Sequence, residues 1–306
     1  MSIYYRIEHT TTYDYPSDIS YGQNLGCLIP RTEALQKVLS WQLTTDPLIH
    51  GHTRHTDYFG NDQTYFAVEQ RHQRLAVTST SLVHVMQRQE SLLADMPWEL
   101  VAKRLAEPSS EEEVLARQFC FASPRVENNA QCGEIARACF QPGVGILQAS
   151  TALMAKIFEE FNYSPAATDV DSSVAEVVKH RQGVCQDFAH VAISGLRGLG
   201  LAAGYVSGYL ETLPAPGKPK LRGADASHAW FSVFIPGCGW IDFDPTNNVI
   251  PKGQHIVVAR GRDFGDVTPL KGVYLGNSVP ELSVSVDVNR IPKEKALALA
   301  NTVVTP

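Results

Sequence analysis

Near its N-terminus the chain alternates strictly. Tyr5, Ile7, His9, Thr11, Tyr13 and Tyr15 fall on one face, and Arg6, Glu8, Thr10, Thr12 and Asp14 fall on the other. A period of two commits a segment to an extended strand with one covered face, and the unpaired edges of a strand commit the chain to a sheet. Pro16 closes this expected strand. Further strand-like runs at 38–43, 64–68, 75–78 and 82–86 are separated by turn signals, notably Phe59-Gly60-Asn61-Asp62. Residues 1–88 therefore read as a small N-terminal β domain.

The period then changes. Helical spacing appears between about 90 and 120, where Pro108-Ser109-Ser110 precedes Glu111, Glu112 and Glu113, carboxylates suited to the positive end of a helix dipole. Leu153, Ile157 and Phe161 recur every fourth residue in a second helix over 146–161. Ser173-Val174-Ala175-Glu176 fits a capping box for a third helix, which stops at Gly183. A fourth runs from Cys185 to Leu199, with Phe188, Ala192, Leu196 and Leu199 on one face. Strands return at 205–210, 228–235 and 240–244, the last two joined by the hairpin signal Pro236-Gly237-Cys238-Gly239. Leu282, Val284, Val286 and Val288 mark a final half-exposed strand. The expected class is α+β, with a second unit over 89–306 that includes the C-terminal strands.

Of the 306 residues, 44% are hydrophobic and 19% charged, so a chain of this length can bury a core without staples. A net charge of -6 and a pI near 5.9 exclude a general nucleic-acid binder, which needs a basic surface. No apolar run is long enough to span a bilayer, and Met1 to Tyr15 lacks an apolar leader core, so the expectation is a cytoplasmic protein with no membrane partner. Six scattered cysteines without a C-x-x-C pair read as free thiols, most of them buried.

One cysteine stands apart. Gly183-Val184-Cys185-Gln186-Asp187-Phe188-Ala189-His190 places Cys185 in the first turn of a helix, where unpaired N–H groups and the dipole favour an anion and can hold an oxyanion. A buried packing thiol is the plain alternative. A nucleophilic thiolate needs a base, and the base needs an orienting group. His228 opens the strand Ser227-His228-Ala229-Trp230-Phe231, and Asp244 closes the neighbouring one. With Ile235 opposite Trp240, His228 faces Asn247, so Asp244 requires a diagonal reach or a shifted turn; Asn247 and Asp242 are the alternatives.

These stretches resemble the core of the transglutaminase-like superfamily. The likeness rests on Arg181-Gln182-Gly183-Val184-Cys185-Gln186-Asp187-Phe188-Ala189-His190, Tyr205-Val206-Ser207-Gly208-Tyr209, Ser227-His228-Ala229-Trp230, and Gly239-Trp240 through Asp244-Pro245-Thr246. His9, Asp57, Phe59-Gly60-Asn61, His255, Gly261-Arg262-Asp263 and Asp266-Val267 resemble its bacterial members, so nearly the whole chain is covered. Gly204 departs from the pattern, which has a basic residue ahead of Tyr205. The resemblance implies a papain-like core in which a helix bearing the cysteine packs on an antiparallel sheet. It implies Cys185 as nucleophile, His228 as base then acid, and Asp244 as orienter, acting on a peptide or carboxamide bond of a peptide or protein substrate. Hydrolysis is the expected outcome, with amine transfer and a silent peptide-binding scaffold as rivals.

Tyr163 and Trp230 are candidates for oxyanion or substrate contact; the plainer reading of Tyr163 is a packing aromatic, and Trp230 reads as cleft wall or core. His50, His52, His55 and Asp57 have ligand chemistry but sit in a polar stretch without a second ligand pair, so no metal and no cofactor is expected. His190, five residues past Cys185, points off the thiol's helix face and reads as packing. Asp187 reads as a partner of the helix dipole, and Cys238 as a spectator thiol in the hairpin loop.

Overall fold

The alternating N-terminal segment forms β1 (Ser2–Ile19), followed by β2 (Tyr21–Gly26), β3 (Gln36–Asp46), β4 (His52–Thr56), β5 (Asp62–Val68) and β6 (His72–Met86). The computed structural model describes residues 2–87, 95–169, 171–212, 225, 227–277 and 279–302. The expected boundary at 88/89 lies outside the described residues. Helices α1 (Trp98–Ala106), α2 (Glu111–Arg117), α3 (Ala130–Cys139) and α4 (Ile146–Glu160) come next. Two-residue strands β7 (Asn162–Tyr163) and β8 (Gln182–Gly183) flank α5 (Val174–His180). Then come α6 (Cys185–Arg197), β9 (Ala203–Leu210), β10 (Ser227–Ile235), β11 (Gly239–Phe243), β12 (His255–Gly261), β13 (Leu270–Leu275), β14 (Glu281–Arg290) and α7 (Lys293–Thr302). The helix starts follow their caps: Ser110 and Asn129 accept first-turn N–H groups, and Ser173 with Glu176 closes a full capping box.

Strands assemble into three four-stranded sheets ordered β14-β1-β6-β3, β13-β2-β5-β4 and β11-β10-β9-β12. The first two enclose Tyr15, Ile19, Leu28, Phe66, Val68, Leu75, Val77 and Leu270, a small sandwich core. The division into 1–88 and 89–306 therefore differs from the strand pairing. The C-terminal strands do not extend the helical unit: β14 pairs with β1 along Tyr5↔Arg290 to Asp14↔Glu281, and β13 pairs with β2. The strictly alternating β1 needs a partner on each side, and only residues from the far end of the chain supply the second.

The third sheet holds α6 against β9 and β10, whose Tyr205, Ala229, Phe231 and Val233 join Phe188, Ala192 and Leu196 in the main core. Tyr5, Ile7, Val83 and Val85 from the β unit belong to that same core, so the two units share one interior. Polar ties reinforce it. The Gln36 carboxamide donates to Val257 O at 2.7 Å and accepts from Val257 N at 2.9 Å, while Asn61 does the same for Arg260 at 2.8 and 2.9 Å. Two side-chain amides thus continue the ladder along the outer edge of β12, an edge that would otherwise leave buried backbone groups unpaired. Among the described residues no helix is long and apolar enough to cross a membrane.

His9 in β1 bonds the Tyr209 hydroxyl at 2.9 Å across the junction, and His190 in α6 accepts the Phe264 N–H at 3.2 Å. Burial pushes both imidazoles down to about 4 from an ordinary 6.5. Between those values the unfolded chain binds protons that the folded chain refuses, so stability should fall as pH drops from about 6.5 toward 4. Urea midpoints across that window check this. His9→Gln removes one of the two sites and should reduce the slope by roughly half; an undiminished slope would contradict the assignment.

Candidate active site

Helix α6 starts at Cys185 because Val184 is extended (φ -116°) and Asp187 folds back on it, its Oδ2 accepting the Val184 N–H at 2.8 Å and the Thr168 hydroxyl at 2.7 Å. Asp187 thus anchors the helix start, and burial raises its carboxyl pKa against those two bonds. Val184 offers no side-chain acceptor, so the Cys185 N–H has no partner from the cap and none within the helix. Parallel pairing of β7 with β8 puts Tyr163 opposite Gly183, two residues before the thiol. Its side chain is 57% exposed, and burial together with the neighbouring Cys185 raises the phenol pKa.

The hairpin register differs from the simple expectation by one residue. Pro236 and Gly237 (φ 80°) occupy the central positions of a turn closed by Cys238 N–H to Ile235 O at 2.9 Å, the arrangement a type II turn requires. Ile235 consequently pairs with Gly239, and the ladder runs to Phe231↔Phe243. One residue of shift exchanges the faces of β11. Asp244, next along, now shares a face with Trp230 and His228 and reaches His228 on the diagonal.

His228 Nε2 lies 2.7 Å from Asp244 Oδ2, which leaves Nδ1 as the nitrogen not engaged by the carboxylate; Cys185 is near enough to act on this imidazole's charge. Asn247, one of the alternatives, donates to Asp244 Oδ2 at 2.7 Å and also lies 3.3 Å from His228 Nε2. Asp242 lies outside the cluster, paired with Arg260 at 2.8 Å. Asp244 Oδ1 accepts the N–H groups of Thr246 and Asn247 at 3.0 and 3.3 Å. Burial opposes the charge on Asp244, but the hydrogen bonds from His228 and His255 hold its carboxyl well below the usual range. Burial likewise opposes charge on His228, and its bonds to Asp244 and Cys185 outweigh that and push it up to about 10. The imidazole is therefore a strong base.

The resemblance singled out His255 without giving it a role; its Nε2 lies 2.8 Å from the same Asp244 oxygen. The available signal was a lone polar residue opening an otherwise buried strand, His255-Ile256-Val257-Val258-Ala259. Trp230 is 0% exposed, so the structure does not bring it to a substrate-accessible surface. It lies behind the imidazoles, edge-on to His255 at 5.0 Å between ring centres. Added carbon at Gly208 would meet the Trp230 ring at 2.6 Å, so only glycine there admits the indole.

His228, Asp244 and His255 also form a possible metal-ligand group, with ligand atoms within 4.8 Å of one another. The donor chemistry favours protons over a cation. Ligating imidazoles normally donate their second N–H to a partner, whereas His255 Nδ1 is buried without one. His52 and His55 lie exposed on β4, and Asp57 is consumed in holding Phe59 and Asn61 backbone N–H groups at 2.9 and 2.8 Å. All six cysteines are free; two are buried and four, Cys185 and Cys238 among them, are partly exposed. A cavity of about 590 Å³ opens along the sheet, lined by Phe59, Phe119, Trp240, Arg260 and His255; Gly204 faces into it.

Comparisons with known proteins bear on the family and the fold. The profile described as "Bacterial transglutaminase-like N-terminal region" matches residues 5–84, and that of the "Transglutaminase-like superfamily" matches 130–245. An uncharacterised protein of Mycobacterium tuberculosis is 38% identical over 293 residues, 93% of this chain and 92% of that one. A protein-glutamine gamma-glutamyltransferase of Pseudomonas aeruginosa is 33% identical over 110 residues, 33% of this chain and 16% of that protein. The crystal structure of a candidate cysteine protease from Cytophaga hutchinsonii superposes with a TM-score of 0.74 at 20% identity, covering 96% of this chain and 92% of that one, a likeness of fold.

If the thiol and imidazole share a proton, iodoacetamide near neutral pH should modify Cys185 ahead of the other five cysteines, and His228→Ala should slow that labelling by roughly tenfold or more. Peptide mapping by mass spectrometry reads both; equal labelling of all six thiols would contradict the arrangement.

Proposed function

The chain belongs to the transglutaminase-like superfamily, and from that footing we propose that it hydrolyses peptide or carboxamide bonds through a Cys185-His228-Asp244 triad. The observation that carries the reading is one imidazole bonded to Asp244 at 2.7 Å and raised in basicity by both Asp244 and Cys185, with that thiol at the start of a helix. The Cys185 thiolate attacks the carbonyl carbon, and the electron pair moves onto oxygen. The Cys185 N–H at the helix start donates to that oxyanion, and Tyr163, exposed beside the thiol, is the second donor. Collapse of the intermediate breaks the C–N bond as imidazolium His228 hands its proton to the leaving amine. This leaves a thioester on Cys185 and a neutral imidazole. His228 then takes a proton from water, whose oxygen attacks the thioester, and the acid product leaves as thiolate and imidazolium are restored.

Asp244 keeps Nδ1 of His228 aimed at sulfur and supports the imidazolium charge. The half of the reaction up to the thioester is common to hydrolysis and amine transfer. The likeness to a gamma-glutamyltransferase over 110 residues supports the second outcome. Hydrolysis is preferred because water, unlike an amine, needs no second organic binding site beside the acyl donor.

Incubating the protein with a peptide library, with and without primary amines, separates these outcomes by mass. The wild type should generate products that have gained water, and Cys185→Ala should generate none. Asp244→Asn should lower turnover by roughly a hundredfold or more. Amine adducts in place of hydrolysis would establish transfer, and spectra identical for wild type and Cys185→Ala would defeat the enzymatic reading.

A further inference from the structure

Asp244 does not serve His228 alone. Its Oδ2 accepts from His228 Nε2 at 2.7 Å, His255 Nε2 at 2.8 Å and Asn247 Nδ2 at 2.7 Å. Of the two imidazoles, His228 is the one whose basicity Cys185 raises. His255 lies 5.9 Å from His228 between ring centres, on the adjacent end of β12, and is buried. An ionised carboxylate only accepts, so His255 must carry its hydrogen on Nε2. Its Nδ1 is buried with no partner among the described residues. His255 thus donates to the carboxylate through Nε2 while His228 changes charge through the proposed reaction cycle.

Resting on the acyl-transfer reading, we propose that His255 is a positioning residue that shares the triad carboxylate with His228 and so limits how tightly Asp244 retains the imidazolium proton. A carboxylate whose charge is divided among several donors is a weaker acceptor for each. A general acid that must surrender its proton to a leaving amine gains from that moderation. The placement of His255 is built in. Val257, two residues on, is clamped to the β unit by Gln36 and by the Arg31 N–H at 3.1 Å, and the Trp230 ring closes the other side. Among the described residues, other ionisable groups near the pair are few. Cys185 and Asp244 face His228; Asp244 and His228 face His255. Gln36 from the β unit is uncharged, and Glu211, whose N–H bonds Gln254 O, turns its carboxylate to Arg290 and Tyr5.

The rate of Cys185 alkylation, followed against pH, contains an alkaline transition where the imidazolium loses its proton. Met and Gln are close in shape, and only Gln offers an N–H. His255→Met should move that transition upward by about 0.5 to 1 pH unit, and His255→Gln should leave it at the wild-type position. Equal shifts in both variants, no shift in either, or a downward shift in His255→Met overturns the proposal. A wild type with no such transition overturns the acyl-transfer reading itself, so the two failures are distinct. Nitrogen NMR of the unaltered protein gives an answer independent of variant folding: the His255 Nε2 should carry a hydrogen bonded to the Asp244 carboxylate, and a His255 whose Nε2 carries no hydrogen overturns the proposal.

Discussion

A carboxylate with no exposed surface, Asp244, organises the functional half of this molecule. A buried charge of this kind costs several kcal/mol unless its acceptor positions are filled. Here five donors fill them: two imidazoles, the Asn247 amide and two backbone N–H groups of the loop that follows. The loop is itself pinned, with Asp244 and Val249 exchanging both backbone bonds at 2.9 and 3.2 Å. Imidazole, loop and strand end are therefore fixed by one requirement, and the position of His228 over Cys185 follows from it.

That requirement extends into the β unit. His255 can reach Asp244 only if the outer edge of β12 is held, and that edge is held by Gln36 and Asn61 rather than by another strand. Asn61 is in turn locked by Asp57, and Arg260, at the far end of β12, bridges Glu33 of the β unit and Asp242 of β11. The β unit is thus structurally part of the site, which accounts for a core shared between the units and for a chain whose last two strands return to pair with its first two.

Much of this was legible in the sequence, and the limits are physical. Cys185 could be placed because Gly183 and the apolar face of the following helix mark a helix start by local rules. The hairpin was visible from Pro236-Gly237, but its register was not, since one residue of turn geometry decides which face Asp244 occupies. Period-two alternation identified the strand at 282–288 without revealing its partner, because pairing across the length of the chain leaves no local trace. Trp230 reads as cleft or core with equal ease from sequence; it becomes core only when Gly208 on the neighbouring strand gives its ring room. His255 carried no chemical signal on its own, and its meaning arises from a carboxylate on the far side of β9 and β10 from its own strand.

The central claim is that the proton shared by Cys185 and His228 resides on the imidazole near neutral pH. The ultraviolet absorbance of a thiolate reports this directly when the spectrum of Cys185→Ala is subtracted from that of the wild type across a pH series. The account predicts a thiolate signal from Cys185 that is already present at neutral pH and that is lost in Asp244→Ala. A difference spectrum in which that signal emerges only in the alkaline range of an ordinary thiol, with or without Asp244, would contradict it.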